Sequence, residues 1–290
     1  MQTLVGKYCK DCVIYTDNIE QEALSQIYDI INNPAYTGQK IRIQPDAHAG
    51  KNITIGFTST LGDFVNPSHV GCDIGCTIST VILNKKIPVD KYAEFEHKLQ
   101  TRLRFGFDLQ PKKVFDDKDF YKFLRKGYSK AVAAWPEMID YPDVINEDFI
   151  TKILKRINMD EKTFYKSIAT CGSGNHFVEY GESDANEYGY VTVHCGSRNL
   201  GVKVFKYWDA QAKRTMRTSA IYNVDEEIKK IKATVEDRTQ WRSLIDAAKE
   251  KAKTCNPQGY LSGDKLKGYL NDMLFCTTYE VFCFSFDLIY

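Results

Sequence analysis

The residues best equipped for chemistry gather first in Pro67-Ser68-His69-Val70-Gly71-Cys72-Asp73-Ile74-Gly75-Cys76-Thr77. Asp73 and Cys76 stand three positions apart, flanked by Gly71 and Gly75, which tolerate backbone angles that other residues avoid. In a tight loop the carboxylate and the thiol turn toward a common point, and a divalent metal is the simplest occupant for both. Two later stretches carry partners of the same kind. Thr170-Cys171-Gly172-Ser173-Gly174-Asn175-His176-Phe177-Val178-Glu179-Tyr180 is a glycine-rich loop feeding a short strand, with Asn175 and His176 at the junction. His194 closes an alternating run and is followed by Cys195-Gly196-Ser197-Arg198-Asn199-Leu200-Gly201. Asp73, Cys76, His176 and His194 are therefore the candidate ligands.

Thiolate with imidazoles usually favours zinc, whereas a carboxylate and open positions also admit manganese or iron. Glycines on the flanks leave backbone N–H groups free to approach phosphate oxygens. Arg198 adds a planar two-pronged donor suited to the same anion. The combination points to phosphoryl chemistry rather than peptide hydrolysis. No Gly-x-x-x-x-Gly-Lys-Ser/Thr loop is present, which argues against an ordinary ATPase. A lone histidine more often satisfies a hydrogen bond than binds a metal. His97 sits among helical neighbours and reads as structural or exposed, while His69, Cys72 and Cys195 flank the candidate ligands without being assigned as ligands.

The elements that must position these residues follow from local pattern. Asp17-Asn18 precede apolar residues at helical spacing, which predicts a capped helix running to about Asn33, where Asn33-Pro34 ends it. Ile41 to Gln44 alternates as a short strand expected to break at Pro45, leaving Pro45-Asp46-Ala47-His48-Ala49-Gly50-Lys51 as a polar loop. Ile53 to Thr60 and Thr77 to Leu83 are rich in β-branched residues and read as strands. Pro88 opens a second helix, and the interval from Phe105 to Ile157 is mainly helical with no catalytic pattern. Tyr188 to His194 alternates, with Val191 and Val193 on one face and Tyr190, Thr192 and His194 on the other. Val202 to Lys253 is helical, and a final helix runs from about Gly263 through Leu274.

Composition bounds the class. The 290 residues, 43% hydrophobic, suffice for a substantial core, and the net charge of +1 gives no global argument for nucleic acid. The N-terminus has no apolar signal region, and no run approaches the roughly 20 apolar residues that span a bilayer, so a soluble, cytoplasmic protein is expected. Nine unevenly spread cysteines argue against structural disulfides, and Cys9-x-x-Cys12 reads as two half-buried thiols on an early strand. No repeat or low-complexity linker appears, so a single domain over 1–290 is expected.

Taken together, Pro45-Asp46-Ala47-His48-Ala49-Gly50, Val70 to Cys76, Gly172 to Glu179 and His194 to Arg198 resemble, in order and approximate spacing, the RtcB-type RNA ligases; Tyr269-Leu270-Asn271-Asp272-Met273 is similar to a further family segment. The resemblance runs from about residue 40 to about 279. It implies an α+β fold with packed mixed sheets surrounded by helices around a central metal cleft. It also implies a reaction that joins an RNA 3′-phosphate or 2′,3′-cyclic phosphate end to a 5′-hydroxyl end, with GTP and Mn2+ (two ions in the full-length family) and a guanylylated histidine. Carried over by position, Asp73, Cys76, His176 and His194 match metal ligands, with Cys76 bridging. Asn175 and Glu179 match the GTP site, Arg198 matches a phosphate or RNA contact, and Asp46 and His48 match supporting residues of the cleft. On this resemblance the partner is RNA, with tRNA one candidate, and no membrane is involved.

The family's later metal-binding histidine and its guanylylated histidine have no counterpart here, because no histidine follows His194. The chain leaves the family pattern near Glu280. Its end, about 280–290, reads as an atypical tail from a truncated or frame-shifted reading, or else as a buried terminal helix or strand. Because the nucleophilic histidine is missing, the chain as given is expected to lack ligase activity. Two alternatives stay open: a metal-dependent hydrolase with Asp46 or His48 as base, and a non-catalytic RNA-binding remnant resting on the basic and aromatic residues from Lys203 to Arg217.

Overall fold

The computed structural model describes the backbone of residues 1–217, 222–255 and 259–287, and the side chains of 1–214, 222–252 and 259–283. It is an α+β structure whose chain packs as two units, one built from residues 1–71 and 207–269 and the other from 72–206 and 270–290. Each unit is discontinuous in sequence. Two of the three crossing points fall inside helices, so no linker composition marks the boundary.

The first unit is built on a mixed sheet of β1 (Gln2–Leu4), β2 (Asp11–Ile14), β3 (Lys40–His48) and β4 (Ile55–Ser59), in that spatial order. β2 and β3 are parallel, which requires a crossover, and α1 (Gln21–Ile31) supplies it. The buried side of α1 (Ala23, Ile27, Ile30, Ile31) closes a core with Cys9, Cys12, Ile14, Ile41, Ile43, Tyr36 and Tyr260. The Cys9-x-x-Cys12 pair is thus core material. Cys9 Sγ donates to the Gln39 carbonyl at 3.2 Å, and burial pushes the Cys12 thiol up to about 11.

Two local expectations are corrected here. The α1 cap is Glu20 rather than Asp17 or Asn18, and no side chain closes it; the Glu20 carboxylate instead accepts from the Ala49 backbone N–H. Pro45 does not end its strand. β3 continues to His48, and the ladder to β4 shifts register between Ile43 and His48, an irregularity that accommodates a residue with no N–H to donate. The unit is completed by α2 (Pro67–Val70) and by later helical segments that include α8 (Val224–Thr234) and α9 (Trp241–Cys255).

In the second unit, β5 (Thr77–Leu83), β6 (Phe177–Glu182) and β7 (Gly189–Cys195) form an antiparallel sheet in the order β5-β7-β6. β7 alternates as its sequence predicts: Gly189, Val191, Val193 and Cys195 are buried, while Tyr190, Thr192 and His194 face the other side. Helices α3 (Tyr92–Arg102), α4 (Asp117–Ala134), α5 (Glu147–Arg156) and α6 (Glu161–Lys166) follow β5; α4, α5 and α6 are capped by Asp116, Asn146 and Asp160, whose side chains accept first-turn N–H groups. α7 (Arg198–Arg217) and α10 (Gly263–Asp287) supply the remaining helical elements.

α10 runs well past the Leu274 expected from sequence. Tyr279 and Phe282 are buried among Phe120 and Phe164, with ring centroids 4.8 Å apart for both Phe120–Phe282 and Phe164–Tyr279. The segment that leaves the family pattern is therefore helical core as far as Cys283; residues 288–290 lie outside the described residues, as does the side chain of Arg217. Among the described residues no helix is long and apolar enough to cross a membrane.

Candidate functional site

The loop between α2 and β5 takes its shape from one turn. Cys76 N–H donates to the Asp73 carbonyl at 3.3 Å, and Gly75, third in the turn, has φ +82°, the left-handed geometry this position demands. Ile74 is buried, and its carbonyl accepts from Ser197 Oγ, which ties the turn to the β7–α7 connection. Glycine at 196 leaves room for the Asp73 carboxylate: a Cβ there would overlap it and force it to shift. The turn thereby presents Asp73 and Cys76 beside the end of β7.

The candidate ligands meet as two hydrogen-bonded pairs. His176 Nε2 lies 3.2 Å from Asp73 Oδ2, and Cys76 Sγ lies 2.8 Å from His194 Nε2. The two imidazole rings are 5.6 Å apart, edge to face. The His176 hydrogen bond holds the Asp73 carboxyl below the usual carboxylate range, while burial, reinforced by Asp73, pushes the Cys76 thiol up to about 11. Among the described residues no three carboxylates, thiols or imidazoles are already disposed to hold a metal ion. The donor types nevertheless suit a divalent cation. His176 Nδ1 is buried without a hydrogen-bond partner, an orphaned donor atom of the kind such a site contains.

Asp73 and His176 also line a cavity of about 520 Å3, together with Asn175, Ser173, Arg198, Asn199, Phe107 and Leu109. Arg198 is held there at φ +58°, a conformation that costs a non-glycine residue on the order of 1–3 kcal/mol. Its guanidinium donates from Nε to Thr170 Oγ1 at 3.0 Å and from Nη1 to the Gly196 carbonyl at 2.6 Å. Backbone strain and side-chain bonds together fix this cation at the head of α7. Glu179 is exposed on β6, in register with Thr192 and on the His194 face of the sheet. Asp46 and His48 belong to the first unit, exposed on β3, where His48 Nδ1 is 2.9 Å from the Asp46 carbonyl. His69, also in the first unit, pairs with the Tyr36 hydroxyl, and burial pulls its pKa down to about 4.

Two residues of this neighbourhood escape a reading by motif. Phe107 falls in an interval without catalytic pattern, although Phe105-Gly106-Phe107 is an aromatic turn signal. Glu280, on α10, is fully buried under the sheet: Cys195 Sγ is 3.6 Å from its Oε1, and Oε2 has no hydrogen-bond partner. Burial raises its pKa to about 7, and the Asp73 charge adds to the rise.

Because the folded-state pKa exceeds the unfolded value of about 4.5, the native state holds the extra proton between these limits. The Glu280 contribution is therefore most favourable below about pH 4.5 and is lost as pH rises through 7. Glu280→Gln is expected to stabilise the protein by about 2–3 kcal/mol at pH 8, with the gain shrinking toward pH 5. Urea unfolding at the two pH values checks this, and an equal gain at both would contradict it.

The family model described as tRNA-splicing ligase RtcB matches residues 26–258, which is most of the chain. The chain belongs to the RtcB family. Among its RtcB relatives, the RNA-splicing ligase RtcB of Escherichia coli strain K12 is 25% identical over 202 residues, covering 69% of this chain and 46% of that protein. The tRNA-splicing ligase RtcB of Aeropyrum pernix is 24% identical over 247 residues, 76% of this chain and 51% of that protein. The RNA-splicing ligase RtcB homolog 1 of Entamoeba dispar is 27% identical over 190 residues, 55% and 34% respectively. The chain thus spans about a third to a half of the length of these RtcB relatives.

Proposed function

We propose that this chain carries the metal and phosphate-handling part of an RtcB-type RNA ligase, which joins RNA 3′-phosphate or 2′,3′-cyclic phosphate ends to 5′-hydroxyl ends at the expense of GTP. The observation that carries the reading is the meeting of Asp73, Cys76, His176 and His194 beside a cavity that Arg198 and Asn175 line. On this reading Asp73, Cys76, His176 and His194 would hold Mn2+, which would supply neutralisation of the charge that builds on a phosphoryl group during transfer. Arg198, pre-set by its bonds to Thr170 and Gly196, orients a phosphate as a rigid fork. Asn175 and Glu179 are assigned to GTP. A tRNA is one candidate among RNA substrates. The family's later histidines have no counterpart within these 290 residues, so no nucleophile is assigned. A cytoplasmic setting, where thiols stay reduced, suits Cys76.

The reading is tested by equilibrium binding of the chain to Mn2+ and to a short oligoribonucleotide with a 3′-phosphate. Both are expected to bind, the RNA with a steep salt dependence, and Arg198→Lys is expected to weaken RNA binding about tenfold by removing the fork. Absence of binding to either ligand by the unaltered chain would overturn it.

A further inference from the structure

The cavity beside Asp73 is lined by residues of two chemical kinds: Arg198, Asn199, Asn175 and Ser173 are polar, Phe107 and Leu109 apolar. Phe107 is 93% exposed, an unusual display for the largest kind of apolar side chain. Its loop is not loose. Cys171 N–H donates to the Arg104 carbonyl at 2.8 Å, Gly106 N–H to the Gly172 carbonyl at 2.7 Å, and Gln110 N–H to the Lys166 carbonyl at 2.9 Å. Phe105 and Gly172 form a parallel bridge, and Asp108 N–H closes a turn onto the Phe105 carbonyl at 3.3 Å. Gly106, at φ +67°, lets the chain reverse immediately before the ring. The loop is pinned on both sides to the segment that leads into the Asn175–His176 junction, and its apex holds an uncovered aromatic at the cavity wall.

A pinned aromatic and a guanidinium that line one cavity of this size match the two halves of a nucleotide. A base has a π-face for the ring, and its phosphate has oxygens for the arginine. We infer that Phe107 is the stacking platform for a nucleobase of the RNA strand whose terminal phosphate lies toward Arg198. The inference rests on the RNA-ligase reading and adds to it the residue that grips the strand by its base. The contact is indifferent to base identity, because every base has a face to stack. It would hold the strand's end in place without selecting a sequence.

The test uses the full chain and a 5′-labelled oligoribonucleotide with a 3′-phosphate, read by fluorescence anisotropy. Phe107→Ala is expected to weaken binding by roughly 5- to 150-fold, the range for losing one base–aromatic stack. Phe107→Trp is expected to keep the affinity, and the slope of affinity against salt should not change, because no charge is removed. An oligoribonucleotide whose terminal nucleotide lacks its base should bind the unaltered chain as weakly as the intact strand binds Phe107→Ala, with no further loss when both changes are combined. Unchanged RNA affinity in Phe107→Ala overturns the inference, as does a loss confined to GTP while RNA is bound as before, which would assign the ring to the mononucleotide. If Arg198→Lys weakens RNA binding and Phe107→Ala does not, the ligase reading stands and the inference alone falls. If the unaltered chain binds no RNA, both fall. Phe107 is so exposed that its replacement leaves no cavity in the core, and a thermal melt that matches the unaltered chain confirms that the fold is intact.

Discussion

Replacing Cys76 with alanine is expected to lower Mn2+ affinity on the order of 100-fold or more, and to abolish the sulfur-to-metal charge-transfer absorption that Co2+ shows when bound in place of Mn2+. Outer-sphere partners of metal ligands are worth about 10- to 100-fold in affinity, and a direct ligand should lie at or above the top of that range. Among the described residues Cys76 is the one thiol hydrogen-bonded to a candidate imidazole, 2.8 Å from His194 Nε2. His194→Ala should weaken binding comparably, and the double variant should lose little more than either single one, because the two residues serve a single site. A strictly additive double loss would place them in independent sites. Retention of the charge-transfer band in Cys76→Ala would remove the thiol from the coordination set altogether.

The second large effect concerns stability. Phe282→Ala is expected to cost about 3–5 kcal/mol, the range for deleting a buried aromatic. The Phe282 ring packs against Phe115, Phe120 and Phe123, with centroid separations of 5.4, 4.8 and 5.4 Å. A large residue removed from such a cluster leaves a space that its neighbours fill only in part. Urea unfolding should show the loss as a lower midpoint with the slope retained. A change below about 1 kcal/mol would mean that the end of α10 contributes little to the core, contrary to its burial.

What could be read without coordinates was what depends on neighbours in sequence. β5 has the bounds that its β-branched run suggests, and β7 turns the faces that its alternation implies. The glycine argument for the Asp73 turn also survives, because Gly75 does occupy a left-handed position. What could not be read depends on contacts far along the chain. Glu20 gives up a cap for a bond to Ala49, a choice invisible in the Asp17-Asn18 pattern. Pro45 stays within its strand because the ladder to β4 shifts there. The burial of Phe282 is not legible locally, since nothing near it in sequence announces Phe115, Phe120 and Phe123. Four candidate ligands from three stretches were legible as donor types; the pairing of Asp73 with His176 and of Cys76 with His194 required the sheet register. Phe107 and Glu280 belong to no motif and became visible only through exposure in one case and burial in the other.

The discontinuity of the two units has a consequence during synthesis. The core of the first unit, laid down by strands that leave the ribosome early, includes Tyr260, and Val65 pairs with Leu261. Roughly 200 residues separate those partners, so at about 5–20 residues per second the early sheet waits on the order of 10–40 s for its last wall. The second unit is no better served, since Tyr279 and Phe282 arrive later still. Until those residues emerge, apolar strands of both cores stay uncovered, and slower elongation lengthens that exposure.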